Sequence, residues 1–208
     1  DRITIKGKAE PLRVWRVDFA RTAETTLTTL LGFQELIDGE RSVRRIDIDR
    51  LDQHIELHAD DAALILRFIR ELAIYEKAES SVQTDEAGIR ASLFGPDAKA
   101  HALICEADGA AIGYAVYFYN YSTWLGRNGI YLEDLYVSPD SRGSGAGKAL
   151  LQHIARIAVA EGCGRFEWSV LDWNEPAIKF YEAVGAKPQS EWTVYRMEGE
   201  ALKAFAVG

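Results

Sequence analysis

The stretch Arg142-Gly143-Ser144-Gly145-Ala146-Gly147-Lys148 decides how this chain is read. It lies between an apolar run with strand character, Ile130–Val137, and an amphipathic helix expected over roughly 145–161. Glycines at alternate positions let backbone N–H groups face outward and an anion come close. A helix starting there adds its unpaired donors and the positive end of its dipole. Arg142 and Lys148 can place charge at a pyrophosphate. The spacing lacks the longer interval of a P-loop and does not follow the first strand, as a dinucleotide-binding turn would. From the turn alone, a plain tight turn remains the alternative.

Working outward, the order of elements is mixed α/β. His54–His58 reads as a strand. Asp60-Asp61 can cap a helix running to about Lys77, with Ala63, Leu64, Leu66, Phe68, Ile69 and Leu72 on its buried side. Thr84-Asp85-Glu86 starts a second helix that stops before Gly95. His101–Glu106 and Ile112–Tyr119 flank Ala107-Asp108-Gly109, a hairpin signal. After the glycine turn and its helix come a strand over 165–171, a helix over 174–184 and a final strand over 190–198. The first 51 residues read as short strands about a Gly7-to-Pro11 turn, a helix over 21–37 and a strand at Val43–Ile48. They contain no catalytic motif. The expected division is an extension, 1–51, and a domain, 52–208, so a chain begun near Arg50 is expected to keep its activity.

The 208 residues carry a formal charge of −8 and 48% hydrophobic residues, enough for a sizeable core. That charge argues against nucleic acid and anionic membrane as partners. It is uneven: residues 1–50 hold ten Lys/Arg and nine Asp/Glu, and the rest hold fourteen and twenty-three. An acidic region attracts cations such as polyamines, although a solvated acidic surface that aids solubility is the commoner reason for such a charge. No apolar run is long enough to cross a bilayer and no signal-peptide pattern opens the chain. Because the sequence begins at Asp1, residues upstream are expected to be missing or processed. Cys105 and Cys163 are too few for a disulfide framework, which points to a reducing cytoplasmic location. His54 and His58 find no third ligand, so no metal is expected. Neither cysteine has a His partner, so transfer without an acyl-cysteine is expected.

Arg142–Gly147 resembles the acetyl-CoA loop, R/Q-x-x-G-x-G/A, of the GNAT acetyltransferases. Three further stretches, Tyr131–Val137, Ile69–Glu76 and Tyr121–Gly126, look like the diamine (spermidine/spermine) branch of that superfamily. So does Trp173-Asn174-Glu175-Pro176-Ala177-Ile178-Lys179-Phe180-Tyr181. The resemblance spans about residues 52–206. It implies a central, mostly antiparallel twisted sheet splayed at the acetyl-CoA site and flanked by helices, acetyl-CoA as co-substrate, a small primary amine as acceptor, and a homodimer.

The resemblance also implies roles. Tyr181 is expected to protonate the departing thiolate, and Glu133 to act as base through a water or to anchor the amine. Leu135, Tyr136 and Val137 would meet the pantetheine arm as an added strand. Arg142, Gly143, Ser144, Gly145, Ala146, Gly147 and Lys148 would hold the pyrophosphate, with Asn174 and Ala177 touching the coenzyme from the next helix. Tyr75, Glu76, Asp134, Trp124 and Glu191 would line the amine site. The interval between Tyr181 and Trp192 is about three residues shorter than in the diamine enzymes, which leaves Glu191 and the far end of the site open. In a regular strand Glu133 and Asp134 point to opposite faces; a bulge, expected here by resemblance, changes that. Taken as residue types alone, Tyr181 is equally a packed aromatic, Tyr75-Glu76 plain surface, Asp134 an exposed carboxylate and Trp124 a core plug. Two alternatives stay open: a GNAT enzyme for thialysine, an amino acid or another amine, and a non-catalytic acyl-CoA-binding regulatory module. Gly145→Val is expected to weaken coenzyme binding with little loss of folding.

Overall fold

Alternating apolar residues build a sheet covered by helices on both faces. A computed structural model describes residues 59–207 fully and, before them, the backbone of four short strands. These are β1 (Arg2–Ile3), β2 (Leu12–Arg13), β3 (Val43–Asp47) and β4 (His54–Leu57). The expected helix over 21–37, and Ile5, Val14, Trp15 and His58, lie outside the described residues. The chain divides into two compact units, residues 1–168 and 169–208.

In the first unit follow α1 (Ala62–Tyr75), α2 (Glu86–Phe94), β5 (Ala100–Ala107), β6 (Ala110–Ser122), β7 (Arg127–Val137), α3 (Ala146–Ala160) and β8 (Phe166–Trp168). Six strands form one sheet in the order β4-β3-β5-β6-β7-β8, and β1 pairs β2 separately. The pairs β4–β3, β5–β6 and β6–β7 are antiparallel; β3–β5 and β7–β8 are parallel. The mixed α/β, mostly antiparallel architecture expected from the sequence is present. One feature was not foreseen: β3, from within the first 51 residues, enters the same sheet beside β5.

Burial on both sheet faces follows strand alternation. Ala102 and Ile104 of β5, Tyr114 of β6 and Tyr136 of β7 pack with Ile65, Leu66 and Phe68 of α1 and Ile89 and Leu93 of α2. The intervening residues Leu103, Cys105, Ala115 and Tyr117 are buried on the other face, as are Leu150, Leu151, Ile154 and Ile157 of α3. Each large side chain fully removed from water contributes about 1.5–3 kcal/mol.

Element ends follow local chemistry. Asp85 caps α2 by accepting from the Gly88 N–H at 2.8 Å. Asp61 holds the same position on α1 but makes no side-chain cap, because a 3-10 turn at Ala59–Asp61 leads into that helix. At its other end α1 stops at Tyr75, two residues before the expected Lys77. Lys77 turns left-handed at φ 59°, and N–H groups of Lys77 and Ala78 bond back to the Ile74 and Ala73 carbonyls at 3.1 and 2.8 Å. This is a Schellman closure made with lysine where glycine is favoured. Asp108 (φ 50°) and Gly109 (φ 74°) supply the left-handed pair needed by the tight β5–β6 hairpin.

The second unit holds α4 (Glu175–Ala183) and α5 (Gly199–Ala206). The strand expected over 165–171 is present but stops at Trp168, the end of the first unit, and in the second unit 190–198 forms no strand. A strand satisfies its backbone only beside another, and the described residues of this unit include none. Trp192, Val194 and Tyr195 have the residue types of a strand but are 70%, 80% and 92% exposed.

Candidate active site

Register around Glu133 positions the site. Asp134 pairs with Val116 and Leu132 with Tyr117, so two neighbouring residues of β6 face three of β7 and Glu133 is the extra one. An unbulged strand would carry Ile130, Leu132, Asp134 and Tyr136 on one face. With the bulge, Ile130 and Leu132 are buried on the α3 side, while Asp134 and Tyr136 turn to the α1 side. Glu133 itself is exposed.

On the α1 side Asp134 meets two partners. The Tyr114 hydroxyl donates to its Oδ2 at 2.8 Å. Tyr114 is completely buried and stacks on Phe68 of α1, with ring centroids 5.5 Å apart and planes within 8°. Burial pushes the Asp134 carboxyl above its ordinary value, against the opposing pull of that hydrogen bond. Glu76, in the Schellman turn of α1, is also raised, first by burial and then by the Asp134 charge. The Asp134 charge therefore bears on Glu76, and a cation near Asp134 relieves it. Glu133 and Asp134 straddle the bulge; the coupled acidic pair is Glu76 and Asp134.

Tyr75, beside Glu76, lies under the Arg142 guanidinium, which stands 4.7 Å from its ring centroid and 5.9 Å from that of Tyr136. Arg142 Nε also donates to the Val137 carbonyl at 3.1 Å. One side chain thus ties the glycine turn, the end of β7 and the end of α1 together. Burial raises the Tyr136 phenol, as does Glu71, which hydrogen-bonds it; Arg142 opposes them.

The turn fits a phosphate. Gly143 and Gly145 adopt φ 81° and 95°, and a Cβ built on either meets nothing within 4 Å, so the concavity is open. Gly145 is the N-cap of α3, and the N–H groups of Gly147 and Lys148 in the first turn have no carbonyl within the helix to bind. Ser144 Oγ accepts weakly from the Ala146 N–H at 3.4 Å. Ala146 is buried, while Arg142, Ser144 and Lys148 are exposed. The left-handed Gly145 also corrects one expectation. A valine at φ 95° strains the backbone by about 1–3 kcal/mol, so Gly145→Val costs stability as well as binding.

β8 pairs β7 only at Ile130, Tyr131 and Leu132 and ends at Trp168. Among the described residues no strand lies beside that edge of β7 from Glu133 to Val137, which is the splay expected of the sheet. Backbone groups of Leu135, Tyr136 and Val137 lie along the part of β7 where an extended arm can add as a strand.

In the second unit Asn174 caps α4, its Oδ1 accepting from the Ala177 N–H at 3.4 Å, and it is buried. Tyr181 is half-buried on α4 beside Phe180, ring centroids 5.4 Å apart. Glu191 is exposed in a turn. In the first unit Trp124 stands 89% exposed between β6 and β7, which rules out its closing the core. The structure thus brings Tyr75, Glu76, Asp134, Tyr136 and Arg142 together, and adds Tyr114 and Glu71, which sequence reasoning missed. Tyr114 carried no signal because it sits in an apolar strand like any core aromatic.

The model of the Acetyltransferase (GNAT) family matches residues 66–186. Thialysine N-epsilon-acetyltransferase of Sus scrofa is 42% identical over 162 residues, 73% of this chain and 95% of the relative. Spermidine/spermine N(1)-acetyltransferase-like protein 1 of Homo sapiens is 30% identical over 158 residues, 71% of this chain and 23% of the relative. Among solved structures, an integron cassette protein from the mobile metagenome of V. cholerae superposes with TM-score 0.62 at 27% identity, covering 73% of this chain and 95% of that one.

Proposed function

The chain belongs to the acetyltransferase (GNAT) family, in its spermidine/spermine branch, and from that premise we propose that it moves the acetyl group of acetyl-CoA directly to a small primary amine. The acceptor class is a diamine, a polyamine or a lysine-like amine such as thialysine. The observation that carries this is the Glu76–Asp134 acidic pair, set by the bulge beside the open edge of β7 and tied to the coenzyme turn through Tyr75 and Arg142. Two partly buried carboxylates in one field suit a cationic acceptor better than a neutral or anionic one. The name of the Sus scrofa relative favours thialysine within the class.

In this reaction the turn from Arg142 to Lys148 holds the pyrophosphate, β7 from Leu135 to Val137 holds the pantetheine arm, and Asn174 and Ala177 touch the coenzyme. Tyr75, Glu76 and Asp134 bind the amine, with Trp124 and Glu191 toward its far end. The neutral amine nitrogen attacks the thioester carbonyl, giving up its proton through Glu133 and a water. The carbon–sulfur bond breaks, and the thiolate takes the proton of Tyr181. The acetyl donor needs no metal in this scheme. Residues 52–208 serve as the transferase domain and 1–51 as an extension of it. The protein works in the cytoplasm as a homodimer, without nucleic acid or membrane; sedimentation of the purified chain tests the dimer.

A coenzyme A release screen across diamines, polyamines and lysine analogues identifies the acceptor. With the best acceptor, Tyr181→Phe retains the ring and is expected to lower kcat by roughly one to four orders of magnitude with the acetyl-CoA dissociation constant nearly unchanged. Wild-type turnover in that variant removes Tyr181 from the chemistry. A chain that binds acetyl-CoA but releases no coenzyme A with any amine favours the acyl-CoA-binding module instead.

A further inference from the structure

Tyr114 has no role in the reaction outlined above, yet its environment is costly without a purpose. A phenylalanine would fill the same stack on Phe68 at 5.5 Å without burying a hydroxyl. Instead a fully buried phenol donates to Asp134 Oδ2 at 2.8 Å. Placing a hydroxyl and a carboxylate together away from water is rarely better for folding than an apolar pair. The groups facing this pair are Glu76 from α1 and Tyr136 from β7, neither of which offers Asp134 a positive charge.

We propose that Tyr114 is the positioning residue of the amine site: it pins one carboxylate oxygen of Asp134 and leaves the second oxygen for the substrate ammonium. This rests on the amine-acetyltransferase reading of the same site. Two restraints act on Asp134. The bulge at Glu133 turns it to the α1 face, and the Tyr114 hydroxyl then fixes its rotation there. The phenol is in turn held by its stack on Phe68, so the amine site is built on the hydrophobic core rather than on a loop. Burial raises Asp134 and the phenol lowers it again, so losing the hydroxyl promotes protonation and weakens attraction for a cation.

The test is a double-mutant cycle on the full chain, using the best acceptor from the release screen. Tyr114→Phe is expected to raise the amine KM about tenfold, the scale of a hydrogen bond to a charged group, with kcat within about twofold. Asp134→Asn is expected to raise KM at least as much. In the Asp134→Asn background Tyr114→Phe should change KM no further, because its effect runs through the carboxylate. Equal effects of Tyr114→Phe in both backgrounds would mean a merely structural role and overturn the proposal. An unchanged KM in Tyr114→Phe, with Asp134→Asn impaired, also overturns it and leaves the amine-site reading standing. An unchanged KM in Asp134→Asn sinks that reading and the positioning role together. Should Tyr114→Phe not fold, NMR of the native protein decides. The Tyr114 hydroxyl proton should exchange slowly with water and shift as Asp134 titrates, and a hydroxyl indifferent to that titration overturns the proposal.

Discussion

The two halves of β7 are built from similar residues and do different work. From Ile130 to Leu132 the strand is paired on both sides, and Ile130 and Leu132 are buried, at 0% and 2% exposure, on the α3 face. Beyond the bulge its partner among the described residues is β6, and Asp134 and Tyr136 turn to the α1 face. One extra residue separates scaffold from site. A bulge re-aims the side chains that follow it, so Asp134 and Tyr136 do not share the face of Ile130 and Leu132 as they would in an unbulged strand of the same sequence.

Deleting Glu133 attacks this contrast directly. Leu132 and Asp134 would then follow one another opposite Tyr117 and Val116, so Asp134 keeps the α1 face while the bulge and the proposed base are lost. Acetyl transfer should fall by roughly two to four orders of magnitude, as for loss of a general base. A deletion variant that stays folded and transfers acetyl at near-native rate would show the bulge to be incidental.

Gly145→Val probes the turn that the second half of β7 leads into. Acetyl-CoA affinity measured by calorimetry should drop by roughly a hundredfold, on the scale of losing one to two charge-assisted contacts to backbone N–H groups. The thermal midpoint should fall too, because Gly145 sits at φ 95°. Unchanged affinity in a folded variant would sink the loop assignment.

The first half should behave as core alone. Leu132→Ala is expected to cost about 2–5 kcal/mol in denaturant unfolding while leaving the amine KM of the folded fraction unchanged. A shifted KM would show that the halves are coupled through the bulge.

The smallest effect is a pH slope. Asp134 and Glu76 are raised in the folded chain relative to their ordinary values of 3.8 and 4.5. The native state therefore binds more protons than the unfolded one above those values, and stability falls as pH rises from about 4 toward the raised folded values. Below the ordinary values the penalty is absent. Asp134→Asn should flatten that slope, and a slope unaltered in the variant would mean that Asp134 titrates normally.

Much of this site was legible before the fold. Arg142 to Lys148 carried it, since glycine spacing and a following helix are local facts that fix a backbone shape. Asp85, Gly109 and the ends of α2 and α4 were equally local. Tyr75 and Glu76 were named only by resemblance, and the Lys77 turn that sets them at the end of α1 has no sequence mark, because lysine is not a favoured left-handed residue. The final strand over 190–198 failed because alternation states what a segment can pair with, not whether a neighbour is beside it.

The sequence by itself determined the family, the glycine turn and the alternating strands, since each depends on residues adjacent along the chain. Tertiary structure alone decided the face that Asp134 takes, its bond to Tyr114 across β6 and its shared field with Glu76 from α1. Those follow from register between strands and from burial, which are set by elements distant in sequence. A single bulge residue in β7 inverts every later side chain without altering the hydrophobic pattern that predicts the strand.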